Sequence, residues 1–154
     1  MIKIEPLKNH ANLIPDLVCL WHDTLGKKWA PQISTNEIST WYSDWLNETI
    51  PMAYVALSDG LLVGSFSLQW DDGIRPDLYP WLGDVIVSPE HQNQGIGKLL
   101  INFAMQTIKN MGYSTLYLFT FEDSLVGYYL KFGWNIIGND NYENKPVIVM
   151  SVDL

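Results

Sequence analysis

The run Trp81-Leu82-Gly83-Asp84-Val85-Ile86-Val87 gives way to a polar, glycine-bearing turn and then to apolar residues at helical spacing, Ile96, Leu99, Leu100, Phe103, Ala104 and Ile108. Gly112 lies just past them, where a helix from about Gly95 to Asn110 would stop. A second apolar run, Thr115 to Thr120, comes next. Strand, helix and strand in that order make parallel neighbours in one sheet, joined by a right-handed crossover. That unit sets the middle of the fold, and the remaining segments must be arranged around it.

Ile2 and Ile4 alternate with Lys3 and Glu5 before Pro6, which predicts a short first strand. From about Asn12 to Leu25, the residues Leu13, Leu17, Leu20 and Trp21 fall on one helical arc, with Gly26 as a stop. Ser34 and Glu37 form a capping box for the next helix, where Ile38, Trp41, Tyr42, Trp45 and Leu46 recur at helical spacing and Pro51 closes the segment. Ala53–Leu57 and Leu61–Leu68, joined through Ser58-Asp59-Gly60, predict an antiparallel hairpin. Asp71 to Pro80 reads as a surface loop. A shorter helix from about Ser124 to Phe132 carries Leu125, Tyr128, Tyr129 and Phe132 on one side, and Trp134–Ile137 and Val147–Val152 make two closing strands. The expectation is a single α+β domain over residues 1–154, with a mixed, mostly antiparallel sheet flanked by helices on both faces.

Composition excludes several classes. A chain of 154 residues, 47% of them apolar, can bury about two thirds of its unfolded surface. The lone Cys19 forms no internal disulfide, and with only His10, His22 and His91 beside it the chain offers no zinc set. Cys19 is expected as a buried helix residue. The start Met1-Ile2-Lys3-Ile4-Glu5-Pro6 has neither the apolar core of a signal peptide nor the Arg-rich character of a transit peptide, and no apolar run approaches the roughly 18 residues of a membrane span. A cytoplasmic setting with no membrane partner is expected. A net charge of −8 serves solubility, opposes nucleic acid and favours a small cationic or amine-bearing substrate. A homodimer is compatible with the sequence.

The turn at Pro89 to Gly97 sits where a strand becomes a helix. A helix start leaves about four backbone N–H groups unpaired and carries the positive end of the dipole, so it can hold a phosphate. Gly95 and Gly97 remove the β-carbons that would keep a pyrophosphate away. A dinucleotide-binding G-x-G-x-x-G would need a third glycine where Leu100 stands. A P-loop would need glycine at Gln92 and a hydroxyl residue after its lysine, whereas Lys98 is followed by Leu99.

Gln92-Asn93-Gln94-Gly95-Ile96-Gly97 matches, at every fixed position, the Q/R-x-x-G-x-G/A signature of the GNAT superfamily of N-acetyltransferases. The likeness extends to Val87-Ser88-Pro89, which is similar to the V-x-P segment before the signature, and to Tyr129-Leu130-Lys131-Phe132-Gly133-Trp134, which resembles the family's Y-x-x-x-G-F/W element. It covers roughly residues 81–137 strongly. The resemblance implies a central parallel strand pair splayed to bind acetyl-CoA as cosubstrate, without a metal. The backbone of Val85, Ile86 and Val87 would hold the pantetheine arm and thioester. The amides of Gln92, Asn93, Gln94, Gly95, Ile96 and Gly97 would hold the pyrophosphate, with Lys98 available as a point charge.

The implied reaction is attack of a neutral amine on the thioester through a tetrahedral oxyanion, followed by loss of a thiolate. In family fashion, the register to Gly133-Trp134 selects Tyr129 over Tyr128 as general acid. Asp84, on the cofactor strand, is the candidate that takes the amine proton through water; a hydrogen-bonded structural aspartate is the competing reading. Glu122 stands where many members have asparagine, which leaves that contact open. His22 and His91 are assigned no role.

The family draws its acceptor contacts from the first two helices and the loop before the cofactor strand. Here those regions are aromatic and acidic, and Asp71, Asp72 and Trp81 are the candidate substrate residues, for a small cationic amine such as a polyamine or aminoglycoside-like compound. For Trp41 and Trp45 core packing is the simpler reading. A protein amino group as acceptor, or a non-catalytic acyl-CoA sensor, are the alternatives.

Overall fold

The computed structural model describes all 154 residues. Seven strands are present: β1 (Ile2–Pro6), β2 (Met52–Ser58), β3 (Leu61–Gln69), β4 (Trp81–Val87), β5 (Thr115–Thr120), β6 (Asn135–Tyr142) and β7 (Lys145–Asp153). They form one sheet in the order β1-β2-β3-β4-β5-β7-β6. β4 and β5 are parallel, with Trp81 opposite Tyr117, while β1/β2, β2/β3, β5/β7 and β6/β7 are antiparallel. The four main helices are α1 (Ile14–Trp21), α2 (Thr35–Asp44), α3 (Ile96–Asn110) and α4 (Asp123–Leu130). The mixed, mostly antiparallel α+β architecture is as the sequence predicts, and no helix is long and apolar enough to cross a membrane.

The first helical segment departs from expectation. Leu7–Leu13 is a 3-10 segment, α1 is only eight residues long, and after Trp21 the path widens into a π-type turn at His22–Gly26 before a short turn at Lys27–Trp29. Gly26 is therefore buried inside a continuing helical path and does not stop it. α1 turns Ile14, Leu17, Val18 and Trp21 inward, one stripe of a helix. Cys19 falls off that stripe and is exposed, against the expectation of a buried thiol. α2 starts as predicted, with Ser34 Oγ accepting the Glu37 amide at 3.1 Å. α3 buries Ile96, Leu100, Ile101, Ala104 and Ile108, and leaves Leu99 46% exposed at the edge of the stripe. On α4, Val126 and Tyr129 turn inward and Leu125 does not.

By contacts the chain forms two compact units, Met1–Leu68 with Asp84–Ala104, and Gln69–Gly83 with Met105–Leu154. In the first, the pleat of β2 sorts helices to opposite faces. Ala53, Val55 and Leu57 pack with Leu17, Trp21, Ile38 and Tyr42 of α1 and α2. Tyr54, on the other side, stacks on Phe66 at 5.1 Å and meets Phe103 of α3 at 5.2 Å. In the second unit, Ile74, Trp81, Val147 and Val149 form a core edged by Tyr117, Phe119, Phe121 and Tyr142.

Candidate active site

The end of β4 is tied down where the Ser88 amide donates to the Val63 carbonyl of β3 at 2.8 Å. Pro89–His91 then makes one 3-10 turn, with Ser88 Oγ and His91 Nδ1 2.6 Å apart in a hydrogen bond. Gln92 Nε2 donates back to the Val87 carbonyl at 3.1 Å, so its side chain braces the turn. Asn93 and Gly95 take left-handed backbone angles, φ 63° and 83°. A β-carbon on Gly95 would meet no protein atom within 4 Å, so this face of the turn is open to a ligand. As α3 begins, the Leu99 amide donates to the Gly95 carbonyl at 3.1 Å. Gln92, Asn93, Gln94, Gly95 and Lys98 are exposed. This is an exposed, glycine-bearing helix start, which suits a pyrophosphate.

Upstream on the same strand, Asp84 is half-buried and has φ 52°, left-handed for a residue within β4. Trp21 Nε1 donates to its Oδ1 at 2.9 Å, and Ser67 Oγ donates to its Oδ2 at 2.8 Å. Tyr42 of α2 is fully buried, and its hydroxyl has no hydrogen-bond partner. Burial, and secondarily the negative charge of Asp84, push the Tyr42 phenol well above its usual range. The surrounding rings interlock: Trp21 meets Trp41 edge-on at 5.7 Å, Trp41 stacks on Trp45 at 6.3 Å, and Tyr42 meets Trp45 edge-on at 5.2 Å. Trp45 is core, as its spacing suggests. Ser67 was not singled out in the sequence. Its signal is a hydroxyl inside the apolar run of β3, a group that must find a partner when fully buried.

In the second unit Tyr129 lies on α4, 7% exposed, with its ring edge-on to Trp134 at 5.9 Å and to Tyr128 at 5.7 Å. Burial first, and the neighbouring Tyr128 second, push its phenol far above the usual range, so it is a protonated donor at any physiological pH. The Trp134 amide donates to the Tyr129 carbonyl at 3.3 Å, which couples the tyrosine to the Gly133-Trp134 corner. Glu122 occupies the N-cap position of α4 without a side-chain bond to the cap amides.

The acidic loop is more structural than its charge suggests. Asp71 Oδ1 accepts the Gly73 amide at 2.8 Å, closing an Asx turn. The Asp72 carboxylate packs on Gly83, where a methyl group would stand 3.1 and 3.2 Å from its oxygens. Asp77 is engaged by Arg75 through two bonds, Nε to Oδ1 at 3.0 Å and Nη2 to Oδ2 at 2.8 Å. Trp81, expected at the substrate, is fully buried with its Nε1 donating to the Leu78 carbonyl at 2.7 Å, and it packs on Tyr117 and Phe119. That makes Trp81 a core residue. Its large apolar area and single donor are both satisfied internally.

The family model for the acetyltransferase (GNAT) family matches residues 15–134. The chain belongs to the GNAT acetyltransferases. Solved GNAT structures share its fold end to end. An aminoglycoside 6'-N-acetyltransferase complexed with coenzyme A superposes with a TM-score of 0.76 at 20% identity, covering 99% of this chain and 96% of that one. The ribosomal-protein-S18-alanine N-acetyltransferase from Escherichia coli gives 0.74 at 17% identity, over 99% and 94%. The IAA acetyltransferase from Bacillus cereus gives 0.70 at 23% identity, over 100% of both chains. At such identities the likeness establishes the fold. A comparison with curated proteins finds no match.

Proposed function

We propose that this GNAT chain moves an acetyl group from acetyl-CoA directly to the primary amine of a small cationic substrate, polyamine or aminoglycoside-like. The observation that carries the reading is the open glycine turn at the head of α3, with the Asp84 carboxylate on the strand that runs into it. The amides from Gln92 to Gly97 take the pyrophosphate, Lys98 adds a positive charge, and the backbone of Val85, Ile86 and Val87 takes the pantetheine arm. A polyanion binding inside a chain of net charge −8 requires such local donors to outweigh the overall field.

Asp84 accepts the proton of the attacking ammonium, directly or through water, and leaves the neutral amine that the thioester requires. A backbone amide at Val85 or Ile86 stabilises the oxyanion, an effect worth about 3 kcal/mol for one well-aimed donor. Tyr129, kept neutral by burial, donates to the departing thiolate. Asp71 and Asp72 supply negative charge to a cationic acceptor, Asp72 beside Gly83 on the chain approaching Asp84.

The test is thiol release from acetyl-CoA across a panel that includes spermidine, kanamycin and a peptide with a free amino terminus. Acetylation of the small polyamines or aminoglycosides is expected. Turnover confined to the peptide would move the acceptor class to proteins. Silence with every amine, together with tight CoA binding, would replace the enzyme reading with an acyl-CoA sensor.

A further inference from the structure

Resting on the reading of Asp84 as proton acceptor, we propose that Trp21 and Ser67 are positioning residues for it, their two hydrogen bonds holding the carboxylate ionised and in one orientation. The two donors come from different elements. Trp21 is the last residue of α1, 5% exposed and braced edge-on by Trp41, and Ser67 is a fully buried residue of β3. Neither donor ionises, so both favour the charged carboxylate at every pH where the protein is folded. Each bonds a different oxygen, Trp21 to Oδ1 at 2.9 Å and Ser67 to Oδ2 at 2.8 Å, which fixes the plane of the group as well as its charge.

The backbone supports the same placement. With φ 52° at Asp84, the side chain leaves β4 in a direction that the regular alternation of a strand would not give. Tyr42 of α2 feels the charge of this carboxylate and stays neutral chiefly through burial. Trp21 and Ser67 are thus both neutral donors to the Asp84 carboxylate.

A double-mutant cycle on the full-length chain separates this role from simple packing. Turnover is measured at saturating acetyl-CoA with whichever of spermidine, kanamycin or the free-amino peptide reacts fastest. Trp21→Phe and Ser67→Ala should each lower kcat about 5- to 50-fold, with KM for acetyl-CoA changed by less than about 2-fold. Asp84→Asn should lower kcat about 100-fold or more. Added to Asp84→Asn, the Trp21 and Ser67 substitutions should cost less than about 2-fold further, because the group they act through is gone. Ser67→Ala removes one oxygen atom and keeps the test alive if Trp21→Phe folds poorly, and calorimetric CoA binding reports folding for each variant. Full, additive losses in the Asp84→Asn background, or wild-type kcat in both single variants, would overturn this inference while leaving Asp84 as the proton acceptor. Wild-type turnover in Asp84→Asn, or no turnover with any of the three amines, would overturn the underlying reading and this inference with it.

Discussion

Replacing Tyr42 with phenylalanine should stabilise the protein. The Tyr42 hydroxyl is buried without a partner, and leaving such a group unsatisfied costs about 1–3 kcal/mol relative to an apolar side chain of the same shape. Phenylalanine keeps the ring packed on Trp45, so the loss is one oxygen atom's volume and contacts. A net gain of about 1 kcal/mol is expected, which for a chain of this size raises Tm by about 2–4 °C near neutral pH. The alkaline side sharpens the argument. In the unfolded chain Tyr42 ionises around its ordinary value of 10.0, whereas in the folded chain burial and Asp84 keep it neutral to much higher pH. The stability tied to this group is complete below pH 10 and falls as pH rises above it, because the unfolded state alone releases the proton. By pH 11 the loss is about 1.4 kcal/mol, and Tyr42→Phe removes it. The Tm advantage of the variant should therefore widen by about 3–6 °C between pH 8 and pH 11. Thermal unfolding followed by circular dichroism across that range is sufficient. A variant that melts below the parent at neutral pH, or an advantage that stays constant up to pH 11, would refute the claim of an unsatisfied, neutral hydroxyl.

Other substitutions probe the remaining parts. Gly95→Ala places a methyl group in open space on a left-handed residue, so it should cost only about 1 kcal/mol of stability while weakening acetyl-CoA binding about 10-fold or more, measured by calorimetry. Tyr129→Phe should lower kcat about 100-fold while KM for acetyl-CoA changes by less than about 3-fold; steady-state kinetics with unchanged turnover would remove the tyrosine from the reaction. Asp71→Asn with Asp72→Asn should raise KM for a cationic acceptor about 5- to 20-fold at low salt and less at high salt, and a salt-independent KM equal to the parent's would take the loop out of acceptor binding.

The elements that sequence reasoning recovered are those specified by local pattern. β4, the turn and α3 were legible because a largely apolar run, glycine position and helical spacing all point the same way over some thirty consecutive residues. The Ser34 cap of α2 was legible for the same reason. What escaped is decided by packing at a distance. The widened turn at His22–Gly26 has no compositional signature, since it adjusts one helical path around the buried Trp21. Trp81 has the composition of a substrate-lining residue and the surroundings of a core one. The Asp84 clamp joins residues separated by 63 and 17 positions in the chain, and no local pattern encodes such pairs.

Asp84 also shows how a strained position limits which substitutions can be interpreted. A left-handed backbone within a strand costs an ordinary residue about 1–2 kcal/mol, and aspartate and asparagine bear it better than alanine because their short polar side chains bond locally. Alanine at Asp84 would therefore remove the carboxylate and load the backbone together, and would leave the Trp21 indole and the Ser67 hydroxyl without their acceptor. Asparagine tolerates the same φ. Its carbonyl can still accept from Trp21, and its amide can donate to the Ser67 hydroxyl oxygen, a group that accepts as well as donates. Only the charge then changes, and with it the capacity to take a proton. The residue that carries the proposed chemistry is thus one whose backbone admits a near-isosteric neutral replacement, which lets the contribution of the charge be measured apart from that of the fold.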